Sequence, residues 1–273
     1  MTDIILDTAD IIRDLVKKND PDRYKLILLC SFQEQARLLA LTALNYELAQ
    51  CLTATNEPLL AQIKLQWWYE ALEEAAKGAI RKHPLIEEIA KADIEISTLL
   101  ELVTARQEEN ESESPPTLAS TFAYAEKTAG QLHVFMTRSK NAEAIEKASL
   151  IGSAWGLISL VRGILYHASA SEGLIPTEIL AQQKSQGEKH FQGDFAIITS
   201  TAAESLLSEA TARLSKAKSL KCKMSKNEKK LMKLGLIASH YKAIIQDAGY
   251  NPNKINMEKG QLALMLKLAF KSF

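Results

Sequence analysis

The sequence predicts an almost wholly α-helical protein, on three observations. Glycine and proline are scarce, 11 and 7 of 273 residues, and they fall between long segments. Within those segments apolar residues recur at helical spacing rather than alternating as half-buried strands would require. Hydrophobic residues make up 47% and charged residues 24% of the chain, globular values that exclude a disordered or collagen-like protein.

The first helix is expected from Asp3 to Lys18, with Asp3, Asp7, Asp10 and Asp14 on one stripe and Ile4, Leu6, Ile11 and Leu15 on others. Asn19-Asp20-Pro21-Asp22 stops it and caps the next, because Asp and Asn accept from free N–H groups and proline suits a first turn. Further helices follow at 21–29, 32–53, 57–77, 84–91, 93–107, 117–138, 141–169, 195–221, 226–248 and 256–271. The stretch Gln107 to Thr117, QEENESESPPT, is acidic, serine-bearing and ends in Pro-Pro, so it reads as a solvated surface loop. The helices on both sides are amphipathic and neither half looks self-sufficient, so residues 1–273 read as one domain. A second loop, Ser185 to Asp194, carries Gly187 and Gly193. The longest nearly apolar run, Ala148 to Val161, falls short of the ~20 residues that span a bilayer and reads as a buried helix, leaving no transmembrane segment.

Lys+Arg 33 against Asp+Glu 33 leaves a formal net charge of zero, so no global field draws the chain to nucleic acid, and any anionic partner needs a local patch. Cys30, Cys51 and Cys222 lie far apart without a CxxC or Cys/His cluster, which excludes a disulfide framework or zinc site and fits a reducing compartment. The acidic start MTDIILDTADII lacks the basic character of a signal or transit peptide, so a cytoplasmic location is expected.

Carboxylates at i and i+4 can bridge Mg²⁺ to phosphate oxygens. Asp3/Asp7, Asp10/Asp14 and Glu70/Glu74 have that spacing, but each sits among other charges on what reads as an outward stripe; Glu109/Glu113 falls in the expected loop. His83, His133, His167, His190 and His240 are scattered without metal-ligand spacing, so no metal or catalytic residue is assigned. Gln66-Trp67-Trp68-Tyr69 puts large rings on adjacent helix faces, a pattern that first suggests core. Gln66, one turn before Glu70, and Asn45 and Glu47, inside an otherwise apolar segment, are polar groups that need partners when buried and mark a cavity.

Several segments together resemble the squalene/phytoene synthases, all-α head-to-head prenyltransferases. They are DPDRYKLILLC (20–30), ALTALNYELAQ (40–50), NEPLLAQIKLQWWYEALE (56–73), YAEKTAGQL (124–132), GSAWGLISLVRGILYHASASEGLIP (152–176) and LIASHYKAIIQDAGYNP (236–252). They occur in family order and cover most of the chain. The resemblance implies a helical isoprenoid (terpenoid) synthase-like fold around a central cavity, in which two aspartate-rich motifs hold Mg²⁺ and the substrate diphosphates. Counting along the family pattern, the first motif falls on Ala49, Gln50, Cys51, Leu52 and Thr53, none of them acidic; the second falls on Gly163 and His167, with Arg162 its surviving arginine. In the family the two motif helices face each other, which implies that Asn45, Glu47, Gln66, Arg162, Tyr166 and His167 line one cavity, with Glu47 the natural ion-pair partner of Arg162 unless the guanidinium binds an anionic head group.

The wording LNYELA and LKLQWWYEAL is similar to a divergent branch of the family that includes a mitochondrial respiratory complex I assembly factor. That implies a non-catalytic protein without a cofactor, which keeps an isoprenoid-type cavity and acts as a respiratory-complex assembly factor or lipid-binding protein. Its partners would be an isoprenoid-like lipid or a respiratory-complex subunit, with peripheral contact to the inner membrane. The alternative is an active head-to-head prenyltransferase that uses prenyl diphosphates and Mg²⁺.

Overall fold

The computed structural model describes residues 7–54, 57–111, 116–166, 175–184, 195–251 and 254–273. Those residues form fourteen α-helices and one π-helical turn, with no strand among them. The chain divides into two compact units, Met1–Ser112 and Glu113–Phe273.

The first unit is built on α3 (Phe32–Thr53), whose run Arg37 to Leu44 is buried throughout because helices pack on it from several sides. These are α1 (Thr8–Asn19), α2 (Pro21–Leu29), α4 (Pro58–Ala76), α5 (Pro84–Lys91) and α6 (Ile96–Glu111). The α1–α2 junction follows from its residues. Pro21 sits in the first turn, and the Asp20 carboxylate accepts from the Arg23 backbone N–H at 3.0 Å and pairs with the Arg23 guanidinium at 2.7 Å. Asp14 is exposed and Asp10 is half-exposed beside Arg13, as an outward stripe requires; Asp3 lies outside the described residues.

One boundary differs. Residues 107–111, expected as the start of a surface loop, continue α6. The reason is tertiary: Gln107 Nε2 donates to Gln66 at 3.1 Å, and Asn110 Nδ2 donates to the Pro58 carbonyl at 3.0 Å and to Gln62 at 3.2 Å. The polar end of α6 is thus bonded along α4 instead of being left to water.

The second unit centres on α9 (Ala142–Tyr166), packed against α11 (Phe195–Ser219), α13 (Leu234–Asp247), α7 (Leu118–Ala125) and α8 (Gln131–Thr137). Residues 142–164 are apolar and long enough to cross a membrane, but 61% of the most apolar window is buried inside the protein, the buried helix expected from Ala148 to Val161. The expected helix 117–138 is interrupted by a π turn at Glu126–Gly130, where Gly130 and Gly152 let α9 approach closely. The expected helix 226–248 is two, α12 (Lys226–Leu231) and α13. Ser225 and Glu228 form a reciprocal capping box at its start, while buried Leu231, Met232 and Leu234 carry the apolar pattern straight across the break. The sequence reading also missed α10 (Thr177–Lys184), which seats Ile175 and Ile179 against Ile198 and Ala202. The chain closes with α14 (Gln261–Phe270). The expected loop Ser185 to Asp194 lies outside the described residues.

Candidate functional site

In the first unit a groove of about 420 Å³ opens between α3 and α4. Helical spacing builds both walls: Glu47, Gln50 and Cys51 from α3, with Ala54 just past its end, and Ile63, Lys64, Trp67 and Trp68 from α4. The floor is apolar. Burial pushes the Glu47 carboxyl above its ordinary 4.5. It also pushes the Cys51 thiol up, with the Glu47 charge acting in the same direction, so the thiol stays protonated and donates to the Glu47 carbonyl at 3.3 Å.

Trp67 and Trp68 play different parts. Trp68 is 5% exposed and belongs to the core, while Trp67 is 36% exposed and stands as a ridge between this groove and a second one of about 410 Å³, lined by Gln62, Ile63, Gln66, Trp67 and Glu70. The two rings meet edge to face at 5.0 Å, and His83 meets both in the same edge-to-face manner at 5.4 and 5.1 Å. His83 Nδ1 accepts from the Leu85 N–H at the start of α5, and burial holds its pKa below 6.5, so this face of the ring is neutral.

Glu70 and Glu74 have the i, i+4 spacing that would suit a cation, and a cation from the same chain occupies them. Arg81 donates to Glu74 at 2.7 and 2.8 Å and to Glu70 at 3.3 Å, with its guanidinium 5.6 Å from the Trp67 ring centre. Gln66 first and then Arg81 hold Glu70 below its ordinary value, and Arg81 does the same for Glu74. Nothing in the order of residues around 70 pointed to Arg81, which reaches back across the turn after α4.

The sequence-derived residues are distributed as follows. Asn45 lies on α3, where its Oδ1 accepts from buried Arg106 of α6 at 2.8 Å. Glu47 lines the α3–α4 groove. Gln66 is exposed on the neighbouring face, donating to Glu70 at 3.1 Å. In the second unit Arg162 of α9 lies over the Tyr241 ring at 4.2 Å and the Trp155 ring at 5.5 Å. Tyr166 ends α9, and His167 lies outside the described residues. Sequence reasoning did not single out Lys64, Trp155 or Tyr241. For Lys64 the signal was present, since it lies one turn before Trp68.

The first degenerate motif therefore has a location: Gln50 and Cys51 line the groove where carboxylates were expected. Mg²⁺ held against a diphosphate needs several hard oxygen ligands in octahedral array. The groove offers one carboxylate, partly desolvated, with Lys64 on the facing wall, and no group of three His, Cys, Asp or Glu suited to a metal occurs among the described residues. These residues do not fit the ion.

The helical body is that of the isoprenoid synthases. A crystal structure of a dehydrosqualene synthase in complex with ligand superposes with TM-score 0.74 at 13% identity, covering 96% of this chain and 95% of that one. A squalene synthase from Alicyclobacillus acidocaldarius gives 0.67 at 13% identity, covering 90% and 95%. Residues 16–248 match the squalene/phytoene synthase family model, and the chain belongs to that family. Among curated proteins it is similar to NADH dehydrogenase (ubiquinone) complex I, assembly factor 6. The Mus musculus protein is 27% identical over 177 residues, 62% of this chain and 53% of that protein; the Homo sapiens protein is 26% identical over 174 residues, 61% and 52%. The Dictyostelium discoideum homolog is 21% identical over 225 residues, 79% and 63%. The chain matches about half the length of the mammalian relatives.

Proposed function

We propose that this chain is a non-catalytic member of the squalene/phytoene synthase family that assists the assembly of a respiratory complex, working at the cytoplasmic side of the inner membrane. One observation carries the reading: the first motif's place in the α3–α4 groove is held by Gln50 and Cys51, with Glu47 the groove's sole carboxylate. The family's diphosphate chemistry lacks its ligands there. The relatives named as complex I assembly factors support the same use of the fold. Under this reading Glu47, with Gln50 and Cys51, serves a retained ligand groove for an isoprenoid-type lipid or a partner subunit. In the second unit Arg162, seated on two aromatic rings, offers its fixed positive charge to an anionic head group.

The test uses purified protein, Mg²⁺ and farnesyl or geranylgeranyl diphosphate. No pyrophosphate release is expected, and a head-to-head hydrocarbon product would establish the prenyltransferase alternative instead. In cells, deletion should deplete assembled NADH dehydrogenase on native gels; normal assembly in the deletion strain rules out the assembly role.

A further inference from the structure

Helix α14 is apolar on two opposite faces. Leu264 and Leu268 point inward and are buried, keying the helix to the second unit. Its other face presents Leu262, 77% exposed, then Met265, Leu266 and Phe270, 84% exposed, with Ala269 completing the stripe at helical spacing. The helix is also held firmly. Lys233 Nζ donates to the Leu268 carbonyl, the Phe273 ring fills the notch over Gly235, and Lys147 donates to the Phe273 carbonyl at 3.4 Å. A contiguous apolar stripe on a fixed helix is a binding surface in need of an occupant.

The charge around it says which occupant. Residues 216–233 and 254–273 carry twelve lysines against two glutamates, in a chain whose total charge is zero. Contacts place the lysine-rich segment beside α14: Lys218 Nζ lies 5.2 Å from the Phe273 ring centre, and Lys233 reaches Leu268. Ion pairs with Glu146 and Asp247 engage Lys216 and Lys259. At ten residues, α14 is ~15 Å long and cannot span a hydrocarbon core of ~30 Å. It has the length and faces of a helix lying in the plane of the lipid headgroups, apolar side down and lysines alongside.

We propose that α14 and its surrounding lysines dock the protein onto an anionic lipid bilayer. This docking rests on the inner-membrane placement proposed above, and the two readings fail separately, docking in flotation and the assembly role on native gels. The experiment is flotation of the full chain with vesicles of phosphatidylcholine, alone and mixed with phosphatidylglycerol. Binding is expected to the anionic vesicles, weakened by salt, and not to phosphatidylcholine alone. Replacing Leu262, Leu266 and Phe270 together by Ser should reduce binding on the order of tenfold or more, as should Lys221→Gln with Lys223→Gln and Lys226→Gln. All six side chains are exposed, so circular dichroism and melting should match the wild type. Folded wild-type protein that ignores anionic vesicles overturns the proposal, as do variants that bind undiminished. If the wild type instead self-associates in light scattering through the Leu262–Phe270 face, without floating, a protein surface is the occupant and the lipid assignment is wrong.

Discussion

Gly152 and Gly163 lie on the same helix and should respond oppositely to the same substitution. A Cβ on Gly152 would meet the Ala129 carbonyl, the His133 Cβ at 2.6 Å and the Gly130 Cα at 3.0 Å, mostly backbone that cannot step aside. Gly152→Ala should therefore cost ~1–3 kcal/mol by overpacking. At Gly163, where the family pattern expects an aspartate, a Cβ meets nothing within 4 Å among the described residues, so Gly163→Ala should gain up to ~1 kcal/mol of helix propensity. Opposite shifts in Tm are the expected result; a Gly152→Ala variant that melts like wild type means the α8–α9 contact is not close. Glu47 is tested by pH. Its carboxyl is raised above 4.5 by burial, so the unfolded chain ionises first. Stability is therefore lost as pH rises from the unfolded value through the folded one and stays reduced at neutrality. Glu47→Gln should melt higher than wild type at pH 7 and match it in acid. A variant less stable at pH 7 would show that Lys64 favours the charge more than burial opposes it.

Among the helices, those with local punctuation were legible from the sequence. Asp20-Pro21 and Pro84 mark the starts of α2 and α5, and the expected spans 21–29, 32–53 and 84–91 coincide with the helices formed. What escaped was set by contacts distant in sequence. The Leu231–Leu234 break carries neither Gly nor Pro, and α10 is too short to show a period of its own. The acidic end of α6 read as loop because its partners, Pro58 and Gln62, lie about fifty positions earlier. Asn110→Ala should for that reason speed amide exchange at 108–111 while costing ~1 kcal/mol, since these are neutral hydrogen bonds, one exposed and one part-buried. Unchanged exchange would mean the helix end holds without them. The site was legible to the same extent. Counting along the family motif reached Gln50 and Cys51, and isolated polarity in an apolar run reached Glu47. Adjacent residues on a helix point ~100° apart, so QWWY alone could not say which tryptophan is core and which forms the ridge.

Over the whole molecule, zero net charge conceals a separation. Residues 1–112 contain twelve Lys and Arg against twenty Asp and Glu, and residues 113–273 contain twenty-one against thirteen, so the two units carry opposite charge of equal size. Within the second unit the excess is gathered further, into 216–233 and 254–273. At ionic strengths where the Debye length is ~10 Å, a charged surface responds to the patch it faces and not to the molecular sum. The protein should therefore be retained on a cation-exchange resin at pH 7 and low salt, where its net charge alone predicts that it flows through. Lys221→Gln, Lys223→Gln and Lys226→Gln together should lower the salt needed for elution. A control with Lys17→Gln, Lys18→Gln and Lys82→Gln removes the same number of exposed charges from the first unit and should elute with the wild type. Equal shifts in the two variants would show that retention follows the total, and flow-through of the wild type would show that the lysines do not act as one patch; either result removes the electrostatic basis for docking through α14.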